Sequence, residues 1–256
     1  MKIKFNKSKI KCVVFDLDGT IYFGNSLASK ANEVIIHCRN KYKNIFFATN
    51  NSAITRKEVY QKLLKLNVNV LEEEVINSSY LIAQYLFASN YKQVYCLGTD
   101  SLKSEIKGFG IIAESQNPQA IVIGYDKEFN LNKLELAINV YNKNCKIIVS
   151  NKERTYPREN GIITPGAGAA VSSFEYCVNA KSDILVGKPE TKMLEYISQK
   201  TGFSADEILM IGDSIESDMN MAKKYGSQGI YIKNGEIEEN CEFESINELQ
   251  ELLEIL

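Results

Sequence analysis

The chain has 256 residues, of which 45% are hydrophobic and 24% are charged, and its formal net charge is −2. This length can form one large α/β domain, or a core with a smaller second unit, and the composition is ordinary for a soluble globular protein. Because positive and negative charges nearly balance, neither a nucleic acid polymer nor an anionic membrane is indicated as a partner. The only histidine, His37, excludes a His-rich metal site and argues against a Ser-His-Asp triad.

The cysteines and the apolar runs bear on the compartment. The six cysteines form no CxxC pair, and several lie within apolar runs, where a free thiol behaves as a small hydrophobic side chain. No signal-peptide h-region follows the basic residues at the N-terminus, and no apolar stretch is long enough to span a bilayer. These features predict a reducing, cytoplasmic setting and no membrane partner.

The first predicted element is a buried strand that ends at a pair of carboxylates. The apolar run of residues 12–15 leads into Asp16, Asp18 stands two positions later, and Gly19 and Thr20 close the segment. An unbroken apolar run is typical of a strand buried on both faces, as in parallel sheets. Ligands of such sheets bind beyond the carboxyl ends of the strands, and residues i and i+2 share a side. Taken alone, the segment could equally be a solvated Asp-Gly turn.

The remaining pattern alternates buried strands with amphipathic helices. Strands are predicted at 44–49, 74–78, 93–98, 120–124, 146–150, 183–187, 207–212 and 228–232. Helices are predicted at 28–40, 55–66, 79–88, 102–107 and 131–142, and residues 164–170 lead into a further helix that ends near Asn179. Thr55 is a predicted N-cap that pairs with Glu58, Pro189 suits the first turn of a further helix, and residues 21–26 form an apolar-aromatic loop. The alternation favours βαβ units and a parallel sheet.

The domain organisation follows from where this pattern restarts. A new series of strands and helices begins near residue 92, while the strands that end in polar groups lie in the outer thirds of the chain. We therefore predict a discontinuous core of residues 1–90 and 184–256, interrupted by an inserted domain of residues 91–183.

Polar groups follow three further predicted strands. Thr49 and Asn50 follow the second strand, Lys188 follows the strand at 183–187, and Asp213 and Asp218 follow the strand at 207–212. The carboxyl ends of parallel strands meet at one edge of a sheet, so these groups are candidates for a single site.

In their order along the chain, these four groups resemble the motifs of the haloacid-dehalogenase-like (HAD) superfamily. The segments 49–52, 156–157, 165–168 and 187–189 resemble the NagD / 4-nitrophenylphosphatase branch, subclass IIA. The resemblance covers the whole chain. It implies a Rossmann-like core with a central parallel sheet, and an inserted α/β cap domain of the C2 type between the second and third motifs.

The charges of the candidate site require a cation. Two carboxylates about 4 Å apart repel by about 4 kcal/mol at an effective dielectric constant near 20, so four of them would exclude a phosphate dianion. A divalent cation and Lys188 reduce the total to a single negative charge, and protonation of Asp18 removes it. An all-oxygen site that shares substrate phosphate suits Mg²⁺.

The resemblance implies the catalytic and metal-binding roles. Asp16 is the expected nucleophile, which attacks phosphorus to form an aspartyl-phosphate, and a metal ligand. Asp18 is the expected general acid and base, with its backbone carbonyl on the metal. Asp213 is the expected carboxylate ligand, and Asp218 is either a further ligand or a residue that orients one.

Substrate contacts are implied in the same way. Thr49 and Asn50 are expected to hold the phosphoryl oxygens, and Lys188 is expected to neutralise the phosphoryl group and Asp16. Tyr156, together with Arg154, is a candidate for contact with the leaving group, although the segment could also be a solvated loop.

Two segments of the predicted cap depart from familiar patterns. Many relatives have Asn-Pro-Asp where this chain has Asn151-Lys152-Glu153. This difference weakens any inference of the substrate from those relatives. Residues 166–168 begin like a dinucleotide fingerprint, but Val171 replaces its third glycine, so we predict a tight turn into a helix and no nucleotide cofactor.

The sequence thus predicts a Mg²⁺-dependent phosphatase that hydrolyses a small phosphorylated metabolite. Candidate substrates are a nucleoside monophosphate, a sugar phosphate and a glycolyl- or glycerol-type phosphate, with 4-nitrophenyl phosphate as a generic one. A phosphotransferase or mutase and a non-catalytic phosphometabolite-binding protein are the alternatives. Asp18 argues against a dehalogenase. Caps of this branch often support dimers, which makes a homodimer through the cap a further expectation.

Overall fold

The computed structural model describes residues 5–157, 162–235 and 242–256. Its strands are β1 (Cys12–Asp16), β2 (Tyr22–Phe23), β3 (Ser26–Leu27), β4 (Asn44–Thr49), β5 (Val75–Asn77), β6 (Val94–Leu97), β7 (Ala120–Ile123), β8 (Lys146–Val149), β9 (Thr155–Pro157), β10 (Ile163–Pro165), β11 (Ile184–Leu185), β12 (Ile208–Gly212), β13 (Gln228–Ile232) and β14 (Glu244–Ile246). Its α-helices are α1 (Ala31–Lys41), α2 (Arg56–Lys65), α3 (Ser78–Ala88), α4 (Asp100–Gly108), α5 (Leu131–Val140), α6 (Ala167–Val178), α7 (Lys192–Thr201), α8 (Asn220–Tyr225) and α9 (Leu252–Ile255).

A six-stranded sheet in the order β14-β13-β12-β1-β4-β5 carries the first predicted strand near its centre. β1 pairs in parallel with β12 on one side and with β4 on the other. Every residue of β1 is buried, and the rings of Phe15 and Phe47 stack with centroids 6.0 Å apart. The unbroken apolar run is therefore explained by neighbours on both edges and both faces, and the predicted parallel sheet is confirmed.

A second sheet, in the order β11-β8-β7-β6, is parallel in all three of its pairings. One of its faces packs on α5 and α6, and a buried cluster fills the space between them. The cluster includes Ile121, Ile123, Ile147, Val149, Leu134, Ala137, Ala170 and Phe174. The α/β class therefore holds for this part of the chain as well.

The chain divides into two compact units. The first contains residues 1–49, 60–76 and 188–256, and the second contains residues 50–59 and 77–187. Both are discontinuous in sequence, and α2 contributes to each. The sequence assigned residues 1–90 and 184–256 to the core and 91–183 to an insert; α3 and β11 instead belong to the second unit.

Most predicted helices and strands are present, with shifts at their ends. Thr55 and Glu58 form the expected capping pair: the Glu58 N–H donates to Thr55 Oγ1 at 3.1 Å, and the Thr55 N–H donates to Glu58 Oε2 at 2.7 Å. α6 begins at residue 167, as the tight turn at residues 166–168 predicts.

Two expectations about local structure are wrong. The apolar-aromatic loop contains the antiparallel pair β2 and β3. Strands of only two residues are too short to give a recognisable pattern in the sequence. Pro189 lies outside any helix, because the chain forms a loop after β11 and α7 begins only at Lys192; the Lys188–Pro189 peptide bond is cis.

The apolar content of the helices and the state of the cysteines can be stated for the described residues. No helix in the described part of the chain combines the length and the apolar character that a membrane span requires. Five cysteines are free thiols: Cys12, Cys38, Cys96 and Cys145 are buried, and Cys177 is exposed. Cys241 lies outside the described residues.

Candidate active site

The acidic centre of the first unit is built at the carboxyl ends of β1 and β12. Asp16 is the last residue of β1 and is 5% exposed. Asp213 follows β12, and Asp218 lies on the π-helical turn Ile215–Met219. One carboxylate oxygen from each of these three residues lies within 4.8 Å of the others. The strand-end argument therefore predicted the meeting of Asp16 with Asp213 and Asp218.

Lys188 joins two of these carboxylates. Its side chain is 3% exposed, and Nζ donates to Asp16 Oδ1 and, at 2.7 Å, to Asp218 Oδ1. A third contact runs to the carbonyl oxygen of Ala48 at 3.3 Å. Since Ala48 pairs with Asp16 in the sheet, the ammonium group is anchored to the same strand ends as the carboxylates.

The pKa values of Asp16, Asp213 and Lys188 reflect several negative charges that lie close together and away from solvent. Burial, with a smaller contribution from Asp218, raises the pKa of Asp213 to about 7. Burial likewise raises the pKa of Asp16 well above its ordinary value, although Lys188 acts against it. Burial disfavours the charged form of Lys188, but attraction to Asp16 and Asp218 prevails and raises its pKa. Lys188 therefore stays charged and compensates only one of three carboxylates.

Two glycines leave the space that the carboxylates occupy. Gly19 has φ of +89°, in the region that disfavours other residues, and a Cβ there would collide with the carboxylate of Asp213. A Cβ on Gly212 would collide with the carboxylate of Asp218. Side chains at either position would therefore displace the acidic groups.

Two threonines contribute to the same centre. Thr20 is 1% exposed, and its hydroxyl donates to Asp213 Oδ1 at 3.3 Å. Thr49 ends β4 next to Ala48 and is 4% exposed. Thr49 thus stands at the strand end beside Asp16, as expected, and its contact with phosphate stays a prediction.

The Asp18 carboxylate lies apart from the acidic cluster. Its side chain is 57% exposed, and its Oδ2 accepts a hydrogen bond of 3.0 Å from the Tyr22 hydroxyl. Lys62 Nζ lies 3.9 Å from Asp18 Oδ1 and 3.7 Å from the centroid of the Tyr22 ring. Burial, reinforced by Asp18, raises the pKa of Tyr22. The side of the chain that Asp16 and Asp18 are expected to share stays a prediction.

Asn50 belongs to the second unit, where it contacts the segment that departs from Asn-Pro-Asp. Its Nδ2 donates to Glu153 Oε1 at 2.7 Å, and its carbonyl oxygen accepts from Asn151 Nδ2 at 3.0 Å. Lys152 turns away and pairs with Glu175 at 2.7 Å. Glu153 therefore places a carboxylate on Asn50 despite the altered sequence.

Tyr156 also belongs to the second unit and is half-buried. Its hydroxyl is 2.7 Å from the hydroxyl of Tyr125, and the two rings meet edge to face. The Tyr125 N–H donates to Ser52 Oγ at 2.9 Å. Arg154 is exposed. We call this group of the second unit the polar loop cluster; its members are Asn50, Ser52, Tyr125, Asn151, Glu153 and Tyr156.

Some residues of these sites were not identified from the sequence. Thr20 lies in the same segment as the two aspartates, which was a usable signal. Tyr22 and Lys62 carry no pattern of their own, since their contact depends on the β2–β3 pair and on α2. Tyr125 follows the strand β7, and a search of the strand ends in the middle of the chain would have found it.

Comparisons with known proteins identify the family of the chain. A family model described as haloacid dehalogenase-like hydrolase matches residues 13–112, and a second HAD-like hydrolase model matches residues 185–248. Sugar-phosphatase AraL of Bacillus subtilis is 32% identical over 226 residues, which cover 87% of this chain and 83% of AraL.

Solved structures show the same fold over nearly the whole chain. The crystal structure of 4-nitrophenylphosphatase from Thermotoga maritima superposes with a TM-score of 0.90 at 27% identity, and covers 96% of this chain and 97% of its own. A structure provisionally named a nagD protein gives a TM-score of 0.90 at 26% identity, with coverage of 97% and 99%.

The chain belongs to the haloacid-dehalogenase-like hydrolases, in their NagD-like subclass IIA. Within that class it is a phosphoric monoester hydrolase.

Proposed function

We propose that this phosphatase hydrolyses a small sugar phosphate with Mg²⁺ through an aspartyl-phosphate on Asp16. The observation that carries the proposal is the group of Asp16, Asp213 and Asp218, of which the first and last are buried, with Lys188 bound between these two. The group joins a nucleophile, a set of oxygen donors and a fixed positive charge at the ends of β1 and β12.

The donor set fits a hard divalent cation. Its candidate ligands are carboxylate oxygens, which Mg²⁺ prefers, and the carboxylates exceed the single ammonium charge by two. In our proposal Asp16 and Asp213 bind the metal directly, together with the backbone carbonyl of Asp18. Both oxygens of Asp218 already accept hydrogen bonds, from Lys188 at 2.7 Å and from the Ser214 N–H at 3.2 Å, so Asp218 orients Lys188. When bound, the cation would draw charge from the phosphoryl oxygens.

The side chains of the first unit divide the chemistry between them. Asp16 attacks phosphorus with a carboxylate oxygen, and the bond from phosphorus to the leaving oxygen breaks. Asp18 gives its proton to that oxygen and then takes a proton from the water that attacks the aspartyl-phosphate. The bond between phosphorus and the Asp16 oxygen breaks and phosphate leaves, so Asp16 is again a carboxylate and Asp18 is again protonated. Lys188 keeps the Asp16 side chain in one rotamer during the reaction. Lys188 and Thr49 both face the phosphoryl group.

The substrate proposal rests on the polar loop cluster and on the name of one relative. AraL is called a sugar phosphatase. The cluster offers hydroxyl, amide and carboxylate groups from Asn50, Tyr125, Glu153 and Tyr156, which suit the hydroxyls of a sugar better than an apolar leaving group. We propose that the second unit serves as the cap domain. A homodimer that forms through this cap and a cytoplasmic location stay predictions.

A hydrolysis panel tests the proposal. Sugar phosphates, nucleoside monophosphates, phosphoglycolate, glycerol phosphate and 4-nitrophenyl phosphate are each incubated with the protein, with Mg²⁺ and after chelation. We expect a sugar phosphate to give the highest kcat/KM and chelation to abolish turnover. Acceptor sugars added to the same reactions distinguish hydrolysis from transfer to a second substrate.

Asp16→Asn and a matched control complete the test. The control, Asp206→Asn, removes a surface carboxylate of the same unit that pairs with Lys9 at 2.8 Å. We expect the first variant to lose all turnover and the second to keep it. Turnover by Asp16→Asn, or full activity without a divalent cation, would refute the mechanism; equal rates on all esters would refute the substrate class.

A further inference from the structure

The proposed acid, Asp18, is the least constrained member of the machinery. Its side chain is 57% exposed, whereas Asp16 is 5% exposed. An exposed carboxylate exchanges among rotamers, and proton transfer requires the donor within about 3 Å of the leaving oxygen. Some contact must therefore select the productive rotamer of Asp18.

Tyr22 supplies such a contact from a fixed position. Tyr22 is 2% exposed, and its hydroxyl donates to Asp18 Oδ2 at 3.0 Å. The Tyr22 backbone is also held, since its N–H donates to Leu17 O at 3.1 Å and its carbonyl accepts from the Gly19 N–H at 2.8 Å. A carboxylate oxygen bound to this hydroxyl is confined to one place relative to the turn that carries Asp18.

Lys62 restrains the same pair from α2. Its ammonium lies 3.9 Å from Asp18 Oδ1, whereas the Tyr22 hydroxyl binds the other carboxylate oxygen, Oδ2. The same ammonium lies 3.7 Å from the centre of the Tyr22 ring. The cation–π contact and the attraction to the carboxylate both favour the observed arrangement. Tyr22 and Lys62 thus contact the two oxygens of one carboxylate.

We propose that Tyr22 and Lys62 are positioning residues that hold Asp18 for proton transfer to the leaving group. The inference rests on the proposed role of Asp18 as general acid. It implies that the contribution of Tyr22 grows as the leaving oxygen becomes more basic, because a poor leaving group depends more on a well-placed proton.

Three esters with Mg²⁺ test this dependence: 4-nitrophenyl phosphate, phenyl phosphate and an alkyl phosphate. Tyr22→Phe keeps the ring and removes only the hydroxyl. We expect kcat/KM to fall about 3-fold for 4-nitrophenyl phosphate and about 30-fold for the alkyl ester, within the roughly 10²–10⁴-fold range of general acid catalysis. Lys62→Met is expected to give a smaller loss of the same form, and Lys62→Arg to restore it.

Two controls separate the possible outcomes. Tyr42→Phe removes another buried hydroxyl of the first unit, which makes no hydrogen bond within the described residues, and should leave all three rates unchanged. Asp18→Asn should lose activity on every ester. If Asp18→Asn is fully active, the proposed function fails; if it is inactive while Tyr22→Phe loses nothing, or loses equally on all three esters, only the positioning role fails.

Discussion

The two units place different chemistry after the carboxyl ends of their strands. In the first unit, three carboxylates meet one ammonium group, and all but Asp213 are buried. In the second, phenols, amides, a hydroxyl and a single carboxylate form a network of hydrogen bonds, some of it buried and some of it half-buried. Several charges buried together are costly unless they are compensated, whereas uncharged polar groups need only hydrogen-bond partners.

This difference assigns separate tasks to the two units. A centre with excess negative charge is suited to bind a cation and an anionic phosphoryl group, which all substrates share. A network of mostly uncharged hydrogen-bonding groups is suited to distinguish one leaving group from another. Changes in the first unit should therefore affect every substrate and the stability of the protein, and changes in the second should affect substrate choice.

The largest expected effect is that of Asp213→Asn. Loss of this proposed ligand should lower kcat/KM for 4-nitrophenyl phosphate by roughly 10³-fold, because a bound cation supplies several kcal/mol of charge stabilisation. Titration of activity with Mg²⁺ should show a higher half-saturating concentration. Glu216→Gln changes an exposed acid on the adjoining turn and should behave as wild type. A variant with unchanged Mg²⁺ dependence would remove Asp213 from the metal site.

Lysine substitutions compare the two units in terms of stability. Lys188→Met leaves two buried carboxylates without their partner and should lower the free energy of unfolding by about 3–5 kcal/mol. In the second unit, Lys181 is 85% exposed and pairs with Glu175 at 3.2 Å, so Lys181→Met should cost about 0–1 kcal/mol. Urea unfolding without metal measures both. Equal losses would contradict the contrast between the units.

The third prediction concerns pH and metal together. The pKa of Asp213 rises from 3.8 to about 7 on folding without metal, so the folded state binds more protons than the unfolded state over this interval. The contribution of Asp213 to the free energy of unfolding should therefore be most favourable below pH 4, and should fall as pH rises towards 7. A divalent cation offsets the ionised carboxylates, and should therefore raise the Tm more at pH 7.5 than at pH 5.

Thermal unfolding with and without Mg²⁺ at the two pH values measures this linkage. With Mg²⁺ at about 100 times its Kd the stabilisation is about 2.7 kcal/mol, which corresponds to roughly 5–10 °C for a protein of this size. Asp213→Asn should reduce the difference between the two pH values. If Mg²⁺ raised the Tm more at pH 5 than at pH 7.5, the pH dependence would be opposite to the expected one. Ionisation of these carboxylates could then not be the cause of the Mg²⁺ effect.

The smallest expected effect belongs to the polar loop cluster. Tyr156→Phe removes a hydroxyl that lies 2.7 Å from that of Tyr125, which is worth about 1 kcal/mol. It should raise KM for the preferred sugar phosphate about 5-fold and leave kcat for 4-nitrophenyl phosphate unchanged. Tyr176→Phe, at a position 89% exposed, serves as the control. A similar loss on both substrates would place Tyr156 in the shared chemistry and not in selection.

The meeting of Asp16 with Asp213 could be predicted from the sequence, whereas the approach of Lys188 and the turns that complete the site could not. Asp16 ends β1 and Asp213 follows β12, and these two buried parallel strands end at the same edge of one sheet. Lys188 follows β11, which is only partly buried and belongs to the other sheet, so the strand-end argument does not explain its contacts with Asp16 and Asp218. The exposure of the Asp18 side chain and its hydrogen bond to Tyr22 could not be predicted, since both depend on how the chain turns back from Gly19 to Tyr22. The contact of Glu153 with Asn50 was also hidden, because one methylene more than aspartate changes where a carboxylate reaches.

The pairing of β1 with β12 has a consequence for synthesis of the chain. Cys12 pairs with Ile208, so the earliest strand of the first unit, which can pair with β4 at once, remains without its second neighbour until most of the polypeptide has left the ribosome. The strands of the second sheet lie between residues 94 and 185 and can assemble earlier. The order of translation therefore favours completion of the second sheet first, with the catalytic centre among the last parts to form.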